Sequence, residues 1–453
     1  MNNRFLWSGT ELGAAFGQTD ISAGVNGISI DSRTTAPGDL FVALSGNPGP
    51  RFGGGDEKPR DGHDFIEMAV NAGASVVMAH REVTCAVPVL RVDDTLDGLW
   101  QLGGCARNRT YAKVAGITGS SGKTTIRAWL ESILSPITSC HASEGSLNNH
   151  WGVPLSLARM PVDSDVGLFE IGTNHPGEIE PLSRLVEPNV ALVLNVLPAH
   201  IGNFSGLDEL KVEKLSISHG LRSGGTLVVP VDLASHSNHP KIITFGDGGD
   251  VSAKGRSAGS GMTVRIDVAG TEVECEVPFV GAERVESIAA LFAVLFALGF
   301  DPKQTVEHIS ALELPSGRGN LLEVAGITII DDSYNANPVS MKMSLAHLSS
   351  MKKHHRRIAL LGEMLELGAA TEAAHQEMGR HLEGVDQVYT FGLGFSESSF
   401  LRQGHFRSVD EFDFENFVDR LEPGDSVLVK GSNKIFWKHS FVERLSGLID
   451  HRR

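Results

Sequence analysis

Positive charge, cysteine and long apolar runs are all in short supply in this chain of 453 residues, and each shortage removes a class of function. Lys and Arg number 39 against 55 Asp and Glu, a formal charge of −16, so the surface repels polyphosphate at long range and general nucleic-acid or anionic-membrane binding is disfavoured. The four cysteines, Cys85, Cys105, Cys140 and Cys275, have no CxxC spacing, which leaves no zinc site or disulfide framework and predicts buried thiols. The longest nearly unbroken apolar run, Ile288 to Phe300, is too short to span a bilayer and predicts a buried helix. Residues 1–17 lack the apolar core of a signal peptide, and Ser8-x-x-Glu11 reads as a helix capping box, so a cytoplasmic protein is expected. No repeat of fixed period and no long low-complexity tract is present.

What remains, 41% hydrophobic and 21% charged residues with 51 glycines, describes a globular protein rich in tight turns. Its length argues for three domains. Short β-rich runs alternate with helical patterns: Asp39 to Leu44, Ala74 to Met78, Val114 to Thr118, Val166 to Glu170 and Val190 to Leu194, then Ile327 to Ile330, Ile358 to Leu361, Gln387 to Phe391 and Ser426 to Val429. Such alternation predicts an α/β protein with parallel sheets flanked by helices. Turn residues place boundaries near Tyr111 and near Pro315-Ser-Gly317. Residues 47–61 are dense in Gly, Pro and charge and predict a surface loop, and the basic run Lys352 to Arg357 is expected to solvate a helix end.

The strand Val114 to Thr118 runs into Gly119-Ser120-Ser121-Gly122-Lys123-Thr124-Thr125 and then a helical stretch, which is the context a phosphate-binding P-loop requires. The glycines let backbone N–H groups close around phosphate oxygens, Lys123 supplies a point charge, and the Thr124 hydroxyl can ligate Mg²⁺. The strict GxxxxGK[ST] pattern wants glycine at Ile117, whereas the nearest is Gly116, so the loop is a variant. A P-loop alone leaves GTPases, kinases, transport ATPases and ligases open. Glu170 ends an apolar strand, at the strand edge where α/β sheets place ligands, and there it either holds a metal or is a solvated strand end.

Further motifs narrow the choice. Asp31-Ser32-Arg33 with Pro37 to Leu44, Gly119 to Thr125, Asn148-Asn149 with Gly152-Val-Pro154, Glu170 to Glu178 and Asp331 to Pro338 occur in the order seen in Mur ligases, and the resemblance spans nearly the whole chain. Asp331-Asp-Ser-Tyr-Asn-Ala-Asn-Pro338 and Leu361-Gly-Glu-Met-Leu-Glu-Leu-Gly368 resemble the member that adds D-alanyl-D-alanine to UDP-N-acetylmuramoyl-tripeptide in peptidoglycan precursor synthesis. The resemblance implies three domains: 1–111 for the uridine nucleotide substrate, 112–314 as the central ATPase, and a Rossmann-like 315–453 that closes on ATP and the dipeptide. It implies an acyl phosphate made from ATP and captured by the dipeptide amine, in a monomer that engages no nucleic acid and inserts in no membrane.

The same resemblance assigns residues. Lys123, Thr124 and Glu170 serve the transferring phosphate and the first Mg²⁺, and His200 serves the second. A lysine carbamylated by CO₂ falls by spacing on Lys214, with Lys211 as its competitor. Arg318 and Asp332 match contacts to ATP phosphate and ribose. Asn148 and Asn149 match a region near the Mg²⁺ and the substrate carboxylate, Asn174 and His175 match positions near the reacting end, and Ser333, Asn335 and Asn337 face the dipeptide. Asp31, Ser32 and Arg33 lie near the uridine nucleotide, and Asp61-Gly-His-Asp-Phe65 matches another local signature. The chain departs from the family where Glu283 and Ser287 replace a His and an Asn near adenine, and where Asn433, followed by Lys434, stands in place of an arginine.

Overall fold

The computed structural model describes residues 5–46, 60–198, 201–258, 261–279, 281–351 and 355–452, without the side chains of 257, 258, 282 and 283. The readings made for His200, for most of the 47–61 loop, for the Glu283 side chain and for Lys352 to His354 therefore lie outside the described residues. The chain gathers into two compact units. One comprises Met1–Gly119, Ile126–Leu194 and Val212–Ala311, the other Ser120–Thr125, Asn195–Lys211 and Leu312–Arg453.

The first unit holds two sheets. Strands β1 (Gly27–Ser29), β2 (Asp39–Val42), β3 (Val76–Ala79) and β4 (Val89–Arg91) form a parallel sheet in that order. The helix Thr95–Asn108 starts at Asp94, whose carboxylate accepts the N–H groups of Leu96 and Asp97, and its face Leu96, Leu99, Leu102 and Ala106 joins Trp7, Ile28 and Leu40 in one core. The capping box read at Ser8 is formed, with Glu11 reaching back to the Ser8 N–H.

The second sheet has nine strands. These are β5 (Lys113–Thr118), β6 (Cys140–Ala142), β7 (Val166–Glu170), β8 (Val190–Val193), β9 (Thr226–Pro230), β10 (Ile242–Phe245), β11 (Val251–Ala258), β12 (Gly261–Val268) and β13 (Thr271–Val277). Their spatial order is 13-12-11-10-9-8-5-7-6. Strands β5 to β11 run parallel, as the sequence predicts for β5, β7 and β8, but β11, β12 and β13 are an antiparallel meander that the alternation rule does not anticipate. The residues explain it. Thr271-Glu-Val-Glu-Cys-Glu-Val277 alternates with period two and leaves one face wet, which an antiparallel edge tolerates and a doubly covered parallel strand does not. Ala269 and Gly270, both at positive φ, close the β12–β13 hairpin as a two-residue turn of the primed type.

The helix Ala282–Leu298 buries Ile288 through Leu295 and Leu298, confirming the apolar run as a core helix. Among the described residues no helix is long and apolar enough to cross a membrane.

The second unit is built on β14 (Asn320–Val324), β15 (Ile327–Asp332), β16 (Arg357–Gly362), β17 (Gln387–Phe391), β18 (Gly404–Phe406) and β19 (Ser426–Lys430), in the order 14-15-19-16-17-18 with only β14 antiparallel. One face packs a phenylalanine cluster in which Phe391 lies 5.2 Å from Phe412 and 5.6 Å from Phe441, centroid to centroid.

Two expectations fail here. The cysteines are free but half-buried rather than buried. Burial still pushes the Cys140 and Cys275 thiols up to about 12. The described part of the basic run does not solvate a helix end, because the preceding helix stops at Ser350 and His355 and Arg356 turn onto the fully buried Asp425, at 2.6 Å each.

Burial pushes the Asp425 carboxyl upward, but hydrogen bonds from the Arg356 side chain, the Glu422 N–H and His355 outweigh it and hold the group below the usual carboxylate range. Its stabilisation is thus complete above the unfolded value of about 3.9 and is lost as pH falls through the lower native value. Urea melts between pH 3 and 7 should show Asp425→Asn flattening the acid limb of the stability curve, and an unchanged limb would contradict this account.

Candidate active site

The phosphate loop sits where the sequence puts it. Strand β5 ends at Thr118, Gly119 and Gly122 take φ values of +153° and +84°, and a helix begins at Lys123. Gly122 occupies the left-handed region that a side chain would strain, which is the reason for glycine there. The loop is strapped by a residue that no motif announced. The Asn195 Oδ1 accepts the N–H groups of Ser120 and Ser121 at 3.0 Å each, and its Nδ2 donates to the Ser121 carbonyl at 3.1 Å. The Ser120 hydroxyl and the Leu197 backbone exchange hydrogen bonds of 2.8 and 2.9 Å.

Parallel pairing then decides which side chains share the edge. Ile117 of β5 stands opposite Glu170 of β7 on one side, and Thr118 stands opposite Val193 of β8 on the other. Glu170 is fully buried, with Arg127 Nε at 3.3 Å and Asn148 Nδ2 at 3.4 Å, so the solvated strand-end alternative is excluded. Arg127 also pairs with Glu131 at 2.7 Å. Asn149, by contrast, is occupied locally, its Oδ1 accepting the Trp151 and Gly152 N–H groups. The Asn174 and His175 N–H groups both donate to Glu178.

Lys214 is 3% exposed, whereas Lys211 is partly exposed and pairs with Asp208 at 3.3 Å. Beside Lys214 lies a second residue the sequence reading missed. The buried Glu213 carboxylate accepts the N–H groups of Gly177, Glu178 and Ile179 at 2.7 to 3.0 Å, closing the start of the helix Ile179–Val186. A residue twelve or more positions from its partners leaves no local signal.

In the second unit, Arg318 Nη2 donates to the Thr124 Oγ1 at 3.1 Å, and its guanidinium lies 4.1 Å from the Tyr334 ring centroid. Asp332 is held by Lys430 Nζ at 2.8 Å and by the Ser344 hydroxyl. Ser333 donates to Asp331 at 2.5 Å, the Asn335 carbonyl receives Lys430, and Asn337 caps the helix Pro338–Ser350. Gly202 and Gly368 touch backbone to backbone. A Cβ on Gly202 would stand 2.6 Å from the Gly368 nitrogen, and one on Gly368, which has φ of +55°, would stand 3.0 Å from the Gly202 Cα, so each position calls for glycine.

A cavity of about 1090 Å³ opens in the first unit, lined by Asp31, Ser32, Arg33 and Phe65 on one side and by Trp151 and Arg159 on the other. Arg33 Nε donates to Asp31 at 2.9 Å and holds that carboxyl below its ordinary value. The volume admits a ligand of nucleotide-sugar size.

Glu170 carboxylate and Thr124 hydroxyl are hard oxygen donors, the chemistry Mg²⁺ accepts from a protein when phosphate and water complete its shell. Among the described residues no group of three His, Cys, Asp or Glu is assembled into a protein-only metal cage.

The Mur ligase middle domain matches residues 117–295, and the Mur ligase glutamate ligase domain matches residues 317–433. The UDP-N-acetylmuramoyl-tripeptide–D-alanyl-D-alanine ligase of Escherichia coli (strain K12) is 30% identical over 409 residues, which cover 87% of this chain and 86% of that one. The chain belongs to the Mur ligase family. Within it, the ligase of the same name from Bacillus subtilis (strain 168) is 29% identical over 429 residues, 90% of each chain. The crystal structure of MurF from Acinetobacter baumannii matches with a TM-score of 0.84 at 29% identity, covering 97% of this chain and 99% of that one. The MurF ligase of Thermotoga maritima in complex with ADP matches with a TM-score of 0.79 at 26% identity, over 94% and 98%.

Three N–H groups depend on one buried carboxylate, so Glu213→Ala should cost about 2–4 kcal/mol in urea denaturation, consistent with several donors losing their acceptor. A loss below 0.5 kcal/mol would show that water replaces the carboxylate without penalty.

Proposed function

We propose that the chain is an ATP-dependent amide ligase that joins D-alanyl-D-alanine to UDP-N-acetylmuramoyl-tripeptide, making a peptidoglycan precursor. The observation that carries this reading is the pairing of β5, whose chain continues into the phosphate loop, with β7, which ends in the buried Glu170. A carboxylate is a poor acyl donor because oxide is a hopeless leaving group. The tripeptide carboxylate therefore attacks the γ-phosphorus of ATP, the bond to the β–γ bridging oxygen breaks, and ADP leaves. The dipeptide amine then attacks the acyl carbon, the phosphate departs with its oxygen, and the amine gives up a proton as the amide forms. Water must be kept out between the two steps.

Each residue has a task in this scheme. Lys123 neutralises charge on the transferring phosphoryl group, and the N–H groups at the start of its helix take phosphate oxygens. Arg318, beside Thr124, adds a second cation at the same loop. Thr124 and Glu170 would hold a first Mg²⁺, and His200 with a Lys214 carbamate a second, and these ions would neutralise further charge on the phosphoryl oxygens. In its neutral form the Lys214 amine would bond to the CO₂ carbon and lose one proton, leaving an anionic carbamate. Asn148, on Glu170, sits by the same carboxylate. Asp332 takes the ribose, Ser333, Asn335 and Asn337 line the dipeptide's place, and Asn174 and His175 stand near the reacting end. Asp31, Ser32 and Arg33 receive the uridine nucleotide in the 1090 Å³ cavity.

We assign 1–111 to the nucleotide-sugar substrate, 112–314 to ATP, and 315–453 to ATP and the dipeptide, and place the enzyme in the cytoplasm as a monomer. Incubation with Mg²⁺, ATP, UDP-N-acetylmuramoyl-tripeptide and D-alanyl-D-alanine should release ADP and yield the pentapeptide product by mass spectrometry. Absence of that product from folded protein that binds the nucleotide sugar would overturn the reading. Lys123→Ala should lower turnover about a hundred- to a thousandfold, the cost typical of losing one charge-stabilising group, with an unchanged circular dichroism spectrum. Lys214→Ala should be inactive and regain part of its activity with a short carboxylic acid, whereas full unrescued activity would remove Lys214 from the site.

A further inference from the structure

We infer that Asn195 is a positioning residue for nucleotide binding: its carboxamide fixes the shape of the phosphate loop and ties that loop to the segment leading to His200. The inference rests on the loop's binding ATP and is independent of which amide the enzyme forms.

The geometry is specific to a carboxamide. One Oδ1 receives two successive N–H groups, from Ser120 and Ser121, while Nδ2 of the same group donates to the Ser121 carbonyl. The Ser120 N–H also lies 3.2 Å from the Asn195 backbone carbonyl. An aspartate could accept but not donate, and would set a negative charge against the phosphate loop. A hydroxyl could not span both peptides. With Ser120 and Ser121 turned onto Asn195, the half of the loop left to meet phosphate is Gly122 to Thr125, the half that carries Lys123. Ser120 completes the strap through the Leu197 backbone, so four residues of chain, 195–198, run from the end of β8 along the loop toward residue 200. A loop rich in Gly and Ser has many conformations to lose, and holding one in the absence of ligand lowers the ordering cost of binding.

Isothermal titration of the full chain with Mg·ADP, and separately with UDP-N-acetylmuramoyl-tripeptide, tests this. Asn195→Ala should weaken ADP binding about tenfold, the scale of one to two lost hydrogen bonds in a preorganised loop, while affinity for the nucleotide sugar stays unchanged. In steady state the KM for ATP should rise and the KM for D-alanyl-D-alanine should not. ADP affinity within twofold of wild type, or a parallel loss for both ligands, would overturn the inference. If Asn195→Ala does not fold, Ser120→Ala decides. It removes only the exchange with Leu197 and should weaken ADP binding about threefold, non-additively with Asn195 where both can be combined. An unchanged Ser120→Ala would count against the strap. If wild-type protein binds ADP but makes no amide, the ligase reading fails and the role of Asn195 stands.

Discussion

Everything chemical in the central sheet depends on one constraint, the register of three parallel strands. Because β5 lies between β7 and β8, and because Ile117 faces Glu170 while Thr118 faces Val193, the chain must leave all three strands at the same edge. Side chains beyond that edge have no further ladder to join, so they are available for chemistry. A slip of one residue in β7 would turn the Glu170 side chain to the other face and put Phe169 in its place. The buried apolar positions Val166, Leu168 and Phe169 oppose that slip, since each would lose its packing. Core packing thereby sets the position of a functional carboxylate.

The same edge must gather polyanions in a protein of net charge −16. Long-range attraction is unavailable, and the attraction that matters is local and partly desolvated. Lys123 and Arg318 are on or beside the phosphate loop, and Arg127 meets Glu170 just below it. The connectors between these charges are neutral. Asn195 straps the loop and Asn148 touches Glu170, each a carboxamide that donates and accepts without adding charge where phosphate must enter. A carboxylate in either position would oppose the substrate, and an ammonium would compete with the metal for Glu170.

What was legible in the sequence follows from the range of the interactions involved. The P-loop is a local device, strand then Gly-Ser-Ser-Gly-Lys-Thr then helix, and its residues lie where their order dictates. The strands β2, β3, β5, β7, β8, β15, β16, β17 and β19 were readable because burial on two faces demands continuous apolar runs, whereas short or half-exposed strands such as β1, β4, β6 and β18 carry no such run. The β11 to β13 meander was not, since its period-two pattern of Glu and Val looks polar to a search for apolar runs. Asn195 and Glu213 escaped for a different reason. Their partners lie 74 and about 35 residues away, so only the folded register discloses them. His355 and Arg356 were misread because a basic run suggests solvent, and the buried Asp425 that claims them is 69 residues distant.

The family motifs also mix two kinds of residue that a sequence cannot separate. In Asp331 to Pro338, Asn337 is a helix cap whose Oδ1 holds the Ser340 N–H, while Asp332 is set between Lys430 and Ser344. In Leu361 to Gly368, the final glycine has φ of +55° and a backbone neighbour in Gly202, so glycine is required there by space and dihedral angle rather than by any reacting group. Gly202 lies two positions beyond His200 and donates its N–H to the Glu366 carbonyl at 3.3 Å. Asn195 is thus attached to the phosphate loop, and Gly202 to the Leu361 to Gly368 segment. Both attachments are made through carboxamide and backbone groups rather than through an ion pair, so neither places a charge against the phosphate.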